Sequence, residues 1–600
     1  MNRFPSIDII IASFNSEKWI DGCIDSIVNC SYPNESINIY VCDNASSDKS
    51  VELTKEALKK TSINHEVLSL KENVGFGIAN NKAAELGNSP YIFCLNYDTE
   101  LKEDCLTKWV EYIANNDSEK IGTYEFCQVP YEHPKLYNPA TLNTTWNSAA
   151  ALIIKRNVFE EVGGFDKKIF MYCEDVDLSW RIRSKGYSLR YLHFCKVVHH
   201  SYTNHYGNSL KVVNSIVYNL LLRYRYDGFK TVFRGYIQLL MVLFNNQFGG
   251  SKKELLKKFI GHFRKAPYFM RTRVKLKNPQ FYYWDFEAHR FGFNSKPPKG
   301  NKKPLVSIIL RTHNRPQILK EAIQSIMYQE YTNWEVIISE DAGHTAQEVV
   351  EHFNDERIIY LPSNEKLGRS AAGNRAMAAA KGELFNFLDD DDFLYPDHLS
   401  TLVNHHLLTQ SDASYTLGLE ALTSYDENRP NHYRIEEYNM PLFTEFSRFT
   451  MATMNFLPIQ TVLFSRKLYD QYGGFDESLE YLEDWDLWYR YSINNDFRFY
   501  PKATSIYKVP FDQVVAEDRQ VKLDENLRLL RKKHQQNNID LFGSDPEVHI
   551  DASHRYMVSR FSLLAFLSYK QQNASFKGKL VYGPVVFLAK CAQKVRSLIS

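Results

Sequence analysis

Residues 6–15 read SIDIIIASFN and residues 305–314 read LVSIILRTHN, an apolar run that ends in a polar turn closed by asparagine. Length and β-branched content make each run a buried strand. Three more blocks return in the same order. GFGIANNKA at 75–83 returns as GRSAAGNRA at 368–376, and the same offset carries Asp98 onto Asp391. GGFD at 163–166 returns at 473–476, and EDVDLSWR at 174–181 returns as EDWDLWYR at 483–490. Chance does not reproduce four blocks in one order, so the chain holds a duplicated unit of roughly 200 residues. Each copy alternates β-rich runs (INIYVCD and YIFCLNYD; WEVIISED and LFNFLDD) with segments of helical period. That alternation specifies an α/β fold, a mostly parallel sheet flanked by helices. Ligands of such sheets bind beyond the carboxyl ends of the strands, where every polar block lies.

The 600 residues exceed what one hydrophobic core organises, and 44% hydrophobic with 24% charged residues is an ordinary globular composition. Nine cysteines form no C-x-x-C pair, and several, such as Cys42 and Cys94, sit in apolar runs. They read as reduced, buried thiols. The N-terminus enters its first strand almost at once, which argues against a signal peptide and for a cytoplasmic protein. The longest apolar stretches, around 236–244 and 581–589, fall short of the roughly 20 residues that a membrane span requires.

Carboxylates gather at the strand ends. The first ends are Ser13 to Asn15, with Glu17 following, and Thr312 to Asn314; the second are VCDNASSD, with Asp43, and IISEDAG, with Asp341. A strand-end carboxylate can accept the imide N–H of a uracil or thymine ring. A helix-capping aspartate looks the same. The third ends are LNYD at 95–98 and LDDDD at 388–392. Aspartates so crowded raise one another's pKa unless a cation neutralises them, and a divalent metal is the simplest partner. Hard oxygen ligands suit Mg²⁺ or Mn²⁺, which keep waters and take diphosphate oxygens. Asp389 and Asp391 are the expected ligands in the second copy; in the first, Asn96 replaces one carboxylate and Asp98 remains. A solvated acidic turn is the alternative. In the fourth block Asp177 and Arg181, like Asp486 and Arg490, have the spacing of a helical ion pair, which leaves Asp175 and Asp484 to face the cleft. There they either take the proton of an acceptor hydroxyl or complement a helix dipole.

Together the blocks resemble family 2 glycosyltransferases of GT-A fold over about residues 5–210 and 303–515. The resemblance implies two tandem nucleotide-sugar transferase domains working by inversion, with Asp175 and Asp484 as bases and a metal at Asp98, or at Asp389 and Asp391, stabilising the departing nucleoside diphosphate. It implies that Asp43 and Asp341 contact the donor base. Ser13, Asn15, Asn73, Gly75 and Asn80 in the first copy, and Thr312, Asn314, Gly368 and Asn374 in the second, fall in the implied donor site. NVGFGIANN, NYD and VVHHSYTN resemble the bacterial rhamnosyl- and galactofuranosyltransferase-like group, in which a late histidine completes the metal site; His199 is the better match and His200 its neighbour. The second copy resembles enzymes that use pyranosyl donors on uridine diphosphate, but it has SEDAG and a late YKVPFD without histidine.

Residues 221–280 hold fourteen Lys/Arg and two Asp/Glu. The segment reads as basic amphipathic helices, either lying on an anionic membrane surface or packing the domains as a solvated linker. No nucleic-acid recognition module accompanies it. The expected organisation is a first domain at 1–210, a basic helical linker at 211–302, a second domain at 303–515 and a helical tail at 516–600 that is a candidate for membrane association. The expected function is a bifunctional glycosyltransferase, peripheral on the inner face of the cell membrane. It would move sugars from UDP- or dTDP-linked donors to a glycan or lipid-linked glycan of a capsule or lipopolysaccharide O-chain. The rivals are one active domain beside a glycan-binding module, and a nucleotidyltransferase.

Overall fold

The computed structural model describes residues 4–542, except 117–119, 131–134, 201–208, 245–250, 277–278, 280–289, 291–296, 298, 301, 427–428 and 440–444. Most of the expected tail, from 543 on, and the late-block residues 201–204 lie outside the described residues. The chain divides into two compact units, Met1–Lys296 and Pro297–Ser600.

The first unit is built on β1 (Ile7–Ser13), β2 (Ile37–Asp43), β3 (Asn64–Ser69), β4 (Tyr91–Leu95), β5 (Thr99–Leu101), β6 (Ile121–Val129), β7 (Ala151–Lys155) and β8 (Ser188–His199). They join in the order β3-β2-β1-β4-β7-β6-β8-β5. The second unit carries β9 (Val306–Thr312), β10 (Trp334–Glu340), β11 (Ile358–Leu361), β12 (Leu384–Asp389), β13 (Phe393–Leu394), β14 (Ala413–Asp426), β15 (Arg429–Asn439), β16 (Val462–Ser465) and β17 (Phe497–Pro510). Its order, β11-β10-β9-β12-β16-β14-β17-β13, repeats the first strand for strand, with β15 added as a hairpin on β14. The duplication read from four motifs therefore extends to the whole sheet.

Continuous burial explains the parallel heart of each sheet. Ile7, Ile9, Ile10 and Ile11 are fully covered, as are Val306, Ile308 and Leu310. Strands sandwiched between helix layers need apolar residues on both faces rather than in alternation. Their parallel register places Ser13 opposite Asp43 and Thr312 opposite Glu340 at the carboxyl edge.

Part of the basic segment packs on the first unit. The helix Ser209–Tyr226 and the helix Lys252–Arg271 bury Leu221, Leu222, Tyr226 and Phe269 against Ile169 and Trp180. In the second unit the helix Gln513–Phe542 inserts Leu530 into the core that holds Trp485 and Trp488. Among the described residues no helix is long and apolar enough to cross a membrane. The eight described cysteines are free thiols, seven of them buried.

Candidate active site

At the carboxyl edge of the second sheet a cleft of about 1110 Å³ is lined by Thr312, Asp341, Gly368, Asp389, Asp391 and Asp484, residues from five separate stretches of sequence. Two expected donor contacts lie elsewhere. Asn314 holds a left-handed turn (φ 51°) after β9. Asn374 uses its amide to accept from Phe475 N (2.7 Å) and to donate to Phe475 O and Glu477 (3.0 and 2.8 Å), so it fastens the GGFD loop to the helix Arg369–Ala379.

The aspartate run, which ends β12 and turns toward β13, divides by burial. Asp390 and Asp392 are buried, accepting from Thr312 Oγ1 (2.7 Å) and from Lys508 N (3.0 Å), whereas Asp389 and Asp391 keep 32% and 23% of their side chains exposed toward the cleft. Protein cations already offset the crowding. Arg311 donates to Asp389 through Nε and Nη2 and to Glu483 through Nη1; Arg315 pairs with Asp390 and Asp391; Lys508 Nζ donates to the Asp391 carbonyl. Burial would raise Asp389, but the Arg311 charge and hydrogen bonds hold it below the usual carboxylate range. Burial, partly offset by Arg315, pushes Asp390 up to about 7.

Asp484 is the second residue of the helix Glu483–Ser492, which begins directly after Leu482 in the left-handed region (φ 63°). Asp175 is likewise the second residue of the helix Glu174–Ser184, which follows Tyr172 and Cys173 (φ 71° and 70°). Large side chains at positive φ are strained, and such strain persists where surrounding structure enforces it. Asp484 accepts from Trp485 N (2.8 Å) and Asn455 Nδ2 (2.9 Å); Asp175 accepts from Val176 N (2.9 Å). Burial pushes both aspartates up to about 6, with the Glu483 charge adding to it at Asp484 and the Val176 N–H opposing it at Asp175. A carboxylate poised there is ionised at neutral pH yet basic enough to take a proton.

In the first unit β5 pairs with β8 so that Thr99 faces His199 across the ladder, and His199 Nε2 lies 3.3 Å from Asp98 Oδ1. Nδ1 of the same ring meets Gln128 Oε1 at 2.7 Å. His200 turns away to Glu100 (2.8 Å) and stacks on Trp19. By strand register Tyr507 and Lys508 stand in the second unit where the first has His199 and His200.

Register also corrects one pairing. Asp43 ends β2 opposite Ser13 as Glu340 ends β10 opposite Thr312, so Asp43 matches Glu340, and Asn44 matches Asp341. Asn44 N and Asp341 N donate alike to Ser13 O and Thr312 O (2.8 Å each). Asp43 is 4% exposed and accepts from Ser46 N and Oγ, so a turn occupies it; Asp341 accepts from Leu367 N and Gly368 N and still lines the cleft. Asn15 repeats the Asn314 turn and accepts from Ser47 N (2.9 Å). Asn73 bridges Asn44 Nδ2 and Gly75 N (3.0 Å each). Gly75 has φ 89°, and a Cβ there would lie 2.3 Å from Phe170 O, so only glycine fits. Asn80 merely donates to Phe76 O within its own helix, while its neighbour Asn81 makes the clamp on Phe165 that Asn374 makes on Phe475. Ser13 Oγ is buried without a partner.

Three groups of residues were missed in the sequence. Arg311 and Glu483 meet across 172 positions. Arg225 donates to Asp177 (2.5 Å) and Asp166 (2.7 Å). Lys533 does the same for Asp486 (2.8 Å) and Asp476 (2.6 Å), with His534 Nε2 on Asp486 at 2.9 Å. In both units the aspartates of GGFD and of the later E-D-x-D are thus clamped by one cation from a following helix. The recurrence of both motifs, in the same order in both copies, was the available signal.

The donor sets fit a divalent cation. Asp389 and Asp391 offer carboxylate oxygens on the cleft of the second unit, and Asp98 lies beside the His199 ring in the first, while among the described residues no group of three or more His, Cys, Asp or Glu encloses a site by itself. A hard cation held by one or two side chains and completed by substrate oxygens matches that arrangement.

The family model "Glycosyl transferase family 2" matches residues 8–177 and 307–473, one stretch in each unit and more than half of the chain. The uncharacterized glycosyltransferase RT0329 of Rickettsia typhi is 29% identical over 194 residues, covering 31% of this chain and 58% of its own. The GalNAc(5)-diNAcBac-PP-undecaprenol beta-1,3-glucosyltransferase of Campylobacter jejuni is 39% identical over 104 residues, 17% of this chain and 34% of its own. The matches thus span from about a third to under two thirds of those relatives. Among solved structures, the mannosyltransferase PcManGT from Pyrobaculum calidifontis, in complex with GDP-Man and Mn²⁺, aligns at TM-score 0.32 and 17% identity over 45% of this chain and 83% of that one.

Proposed function

The chain belongs to glycosyl transferase family 2, and from that premise we propose a bifunctional inverting glycosyltransferase whose two units each move a sugar from a nucleotide-diphosphate donor. One observation carries the reading. In both units the helix that follows GGFD presents an aspartate raised to about 6, while the second aspartate of the same motif is consumed by a clamp of cations.

In the second unit an acceptor hydroxyl oxygen attacks the anomeric carbon of the donor sugar. Its proton passes to the Asp484 carboxylate as the carbon–oxygen bond to the diphosphate breaks, and the nucleoside diphosphate leaves with that electron pair. Lys366, Arg369 and Arg315 line the cleft and offset the diphosphate charge. Asp341, whose Oδ1 is taken by two loop N–H groups, is placed to accept a base imide N–H; Asp43 is not, and Asn44 holds that place in the first unit. Asp175 plays the part of Asp484 there. A divalent metal held by Asp98 and His199, or by Asp389 and Asp391, would stabilise the negative charge on the departing diphosphate. UDP- or dTDP-linked donors, and a glycan or lipid-linked glycan of a bacterial capsule or O-chain as acceptor, complete the reading; the undecaprenol-linked glycan for which the Campylobacter relative is named supports the lipid link. Such an enzyme works on the inner face of the cell membrane.

The test is a nucleotide-sugar panel run on the full chain and on Asp175→Asn and Asp484→Asn, reading nucleoside diphosphate release and glycan product. Each variant should lose one distinct transfer. If Asp175→Asn keeps every transfer, the first unit is not catalytic in this way and the reading contracts to a single active unit. Release of pyrophosphate instead would mean nucleotidyl transfer.

A further inference from the structure

The helices Phe229–Phe244 and Lys252–Arg271 leave a patterned apolar surface uncovered. On the first, Val232 and Leu239 turn inward, while Phe229, Phe233, Ile237 and Leu240 stand 78%, 65%, 38% and 52% exposed. The spacing i, i+4, i+8, i+11 puts those four on one stripe. On the second, Leu255 and Phe269 are buried, while Leu256, Ile260 and Phe263 are 47%, 63% and 55% exposed with the same helical spacing. The inward faces share one core, where Leu239 and Leu255 meet Val213 and Val217. The exposed stripes are therefore additional to what holds the helices in place.

Charge marks what these stripes meet. Beside the first stripe lie exposed Lys230 and Arg234; beside the second lie exposed Lys253, Lys257 and Arg264. Turning around either helix, one passes from the buried face to the exposed apolar stripe and then to the cations, with no acidic side chain in that sector. Residues 229–273 hold ten Lys/Arg against the single Glu254. A protein partner of mixed charge does not call for so one-sided a rim. A sheet of anionic headgroups over hydrocarbon does, because the stripe enters the acyl boundary while the cations stay at the phosphates.

We propose that this face docks the chain on an anionic lipid surface, with Phe229, Phe233, Leu240, Ile260 and Phe263 inserted and the flanking lysines and arginines on the headgroups. The docking rests on the shape and charge of these two helices, not on the assignment of the catalytic aspartates; it gives physical form to the membrane location proposed above. None of these residues lines the cleft of the second unit or touches Asp98, His199 or Asp175.

The experiment is vesicle flotation of the full chain with phosphatidylglycerol-containing and with purely phosphatidylcholine vesicles, at low and at high salt. Expected are binding to the anionic vesicles alone, weakening with salt, and a loss of at least tenfold in both Phe233→Ser/Phe263→Ser and Lys253→Glu/Lys257→Glu. Equal binding to both vesicles, or binding that neither double variant changes, overturns the proposal. So does a dimer without vesicles that Phe233→Ser/Phe263→Ser converts to monomer, which would mean that a second copy covers the face. Nucleoside diphosphate release with a soluble acceptor, measured on the same variants, should stay unchanged; its failure in the parent chain would count against the catalytic reading and leave the docking result standing.

Discussion

Arg311 closes on Asp389 with two donors, Nε and Nη2, which reach the same carboxylate oxygen at 3.0 and 2.6 Å. By strand register the first unit has Ala12 and Asn96 at these two positions. Cation and anion are gone together. The remaining carboxyl, Glu174, is buried with Oε2 unpartnered, and burial together with the Asp175 charge raises its pKa well above the ordinary value, whereas Glu483 keeps Arg311 at 2.8 Å. The two sites are therefore different electrostatic solutions on one backbone.

Arg311→Ala should destabilise the second unit by about 3 kcal/mol, because it strands the buried Glu483 and the partly exposed Asp389. Arg311→Ala/Asp389→Asn reproduces the first unit's pair and should recover roughly 1 kcal/mol or more of that loss. Denaturant unfolding of the full chain, followed by proteolysis of the second unit, measures the cycle. Strict additivity would refute the coupling.

Transfer by either unit should fall as the pH drops through about 6, since the proposed bases Asp175 and Asp484 can take a proton only when ionised. Well below that value the rate should lose about tenfold per pH unit. The stability sign is opposite. A carboxyl whose folded pKa is raised binds its proton more tightly in the folded state, so stability from these groups is present below the ordinary range near 4 and lost as pH rises through 6. Asp484→Asn should thus raise stability at pH 7 by on the order of 1–2 kcal/mol, discounted for its partial exposure, while abolishing one transfer. Thermal melts at pH 5 and 7 beside the pH–rate profile decide it.

Gln128 meets His199 Nδ1 at 2.7 Å and fixes the ring that turns Nε2 toward Asp98. Gln128→Leu should weaken the Mn²⁺ activation of the first unit's transfer by roughly 10–100-fold and leave that of the second unit alone. A Mn²⁺ titration of each transfer reads the difference. An equal effect on both would point to a general loss of fold.

Arg225→Ala should cost about 3 kcal/mol in the first unit, because Asp166 would stay buried without its cation, while Asp177 keeps Arg181 at 2.8 Å. Lys533→Ala should cost no more than about 1 kcal/mol, since its side chain is 39% exposed and Asp486 keeps Arg490 and His534. Burial would raise Asp486, but His534, Arg490 and Lys533 hold it well below the ordinary range, so its stabilisation is present above pH 4 and is lost as pH falls further. Unfolding midpoints of the two variants at pH 7 and pH 3 test both statements.

The sequence by itself determined the duplication, the α/β class, the strand-end position of Asp98, Asp389 and Asp391 and the helix-start position of Asp175 and Asp484, because an apolar strand closed by a polar turn and an acidic pair before an amphipathic helix are local patterns written in consecutive residues. Tertiary structure decided which of these carboxylates remain available. The loops between the repeated blocks differ in length, so only the ladder register could show that Asp43 answers to Glu340 and Asn44 to Asp341. The turn between β12 and β13 buried Asp390 and Asp392 and left Asp389 and Asp391 partly exposed. The cations that neutralise the acids come from distant positions: Arg311 reaches Glu483 across 172 residues and Arg225 reaches Asp177 across 48. A charge's partner is set by distance in space, which sequence order does not encode, and so the motifs were legible while their electrostatics waited for the fold.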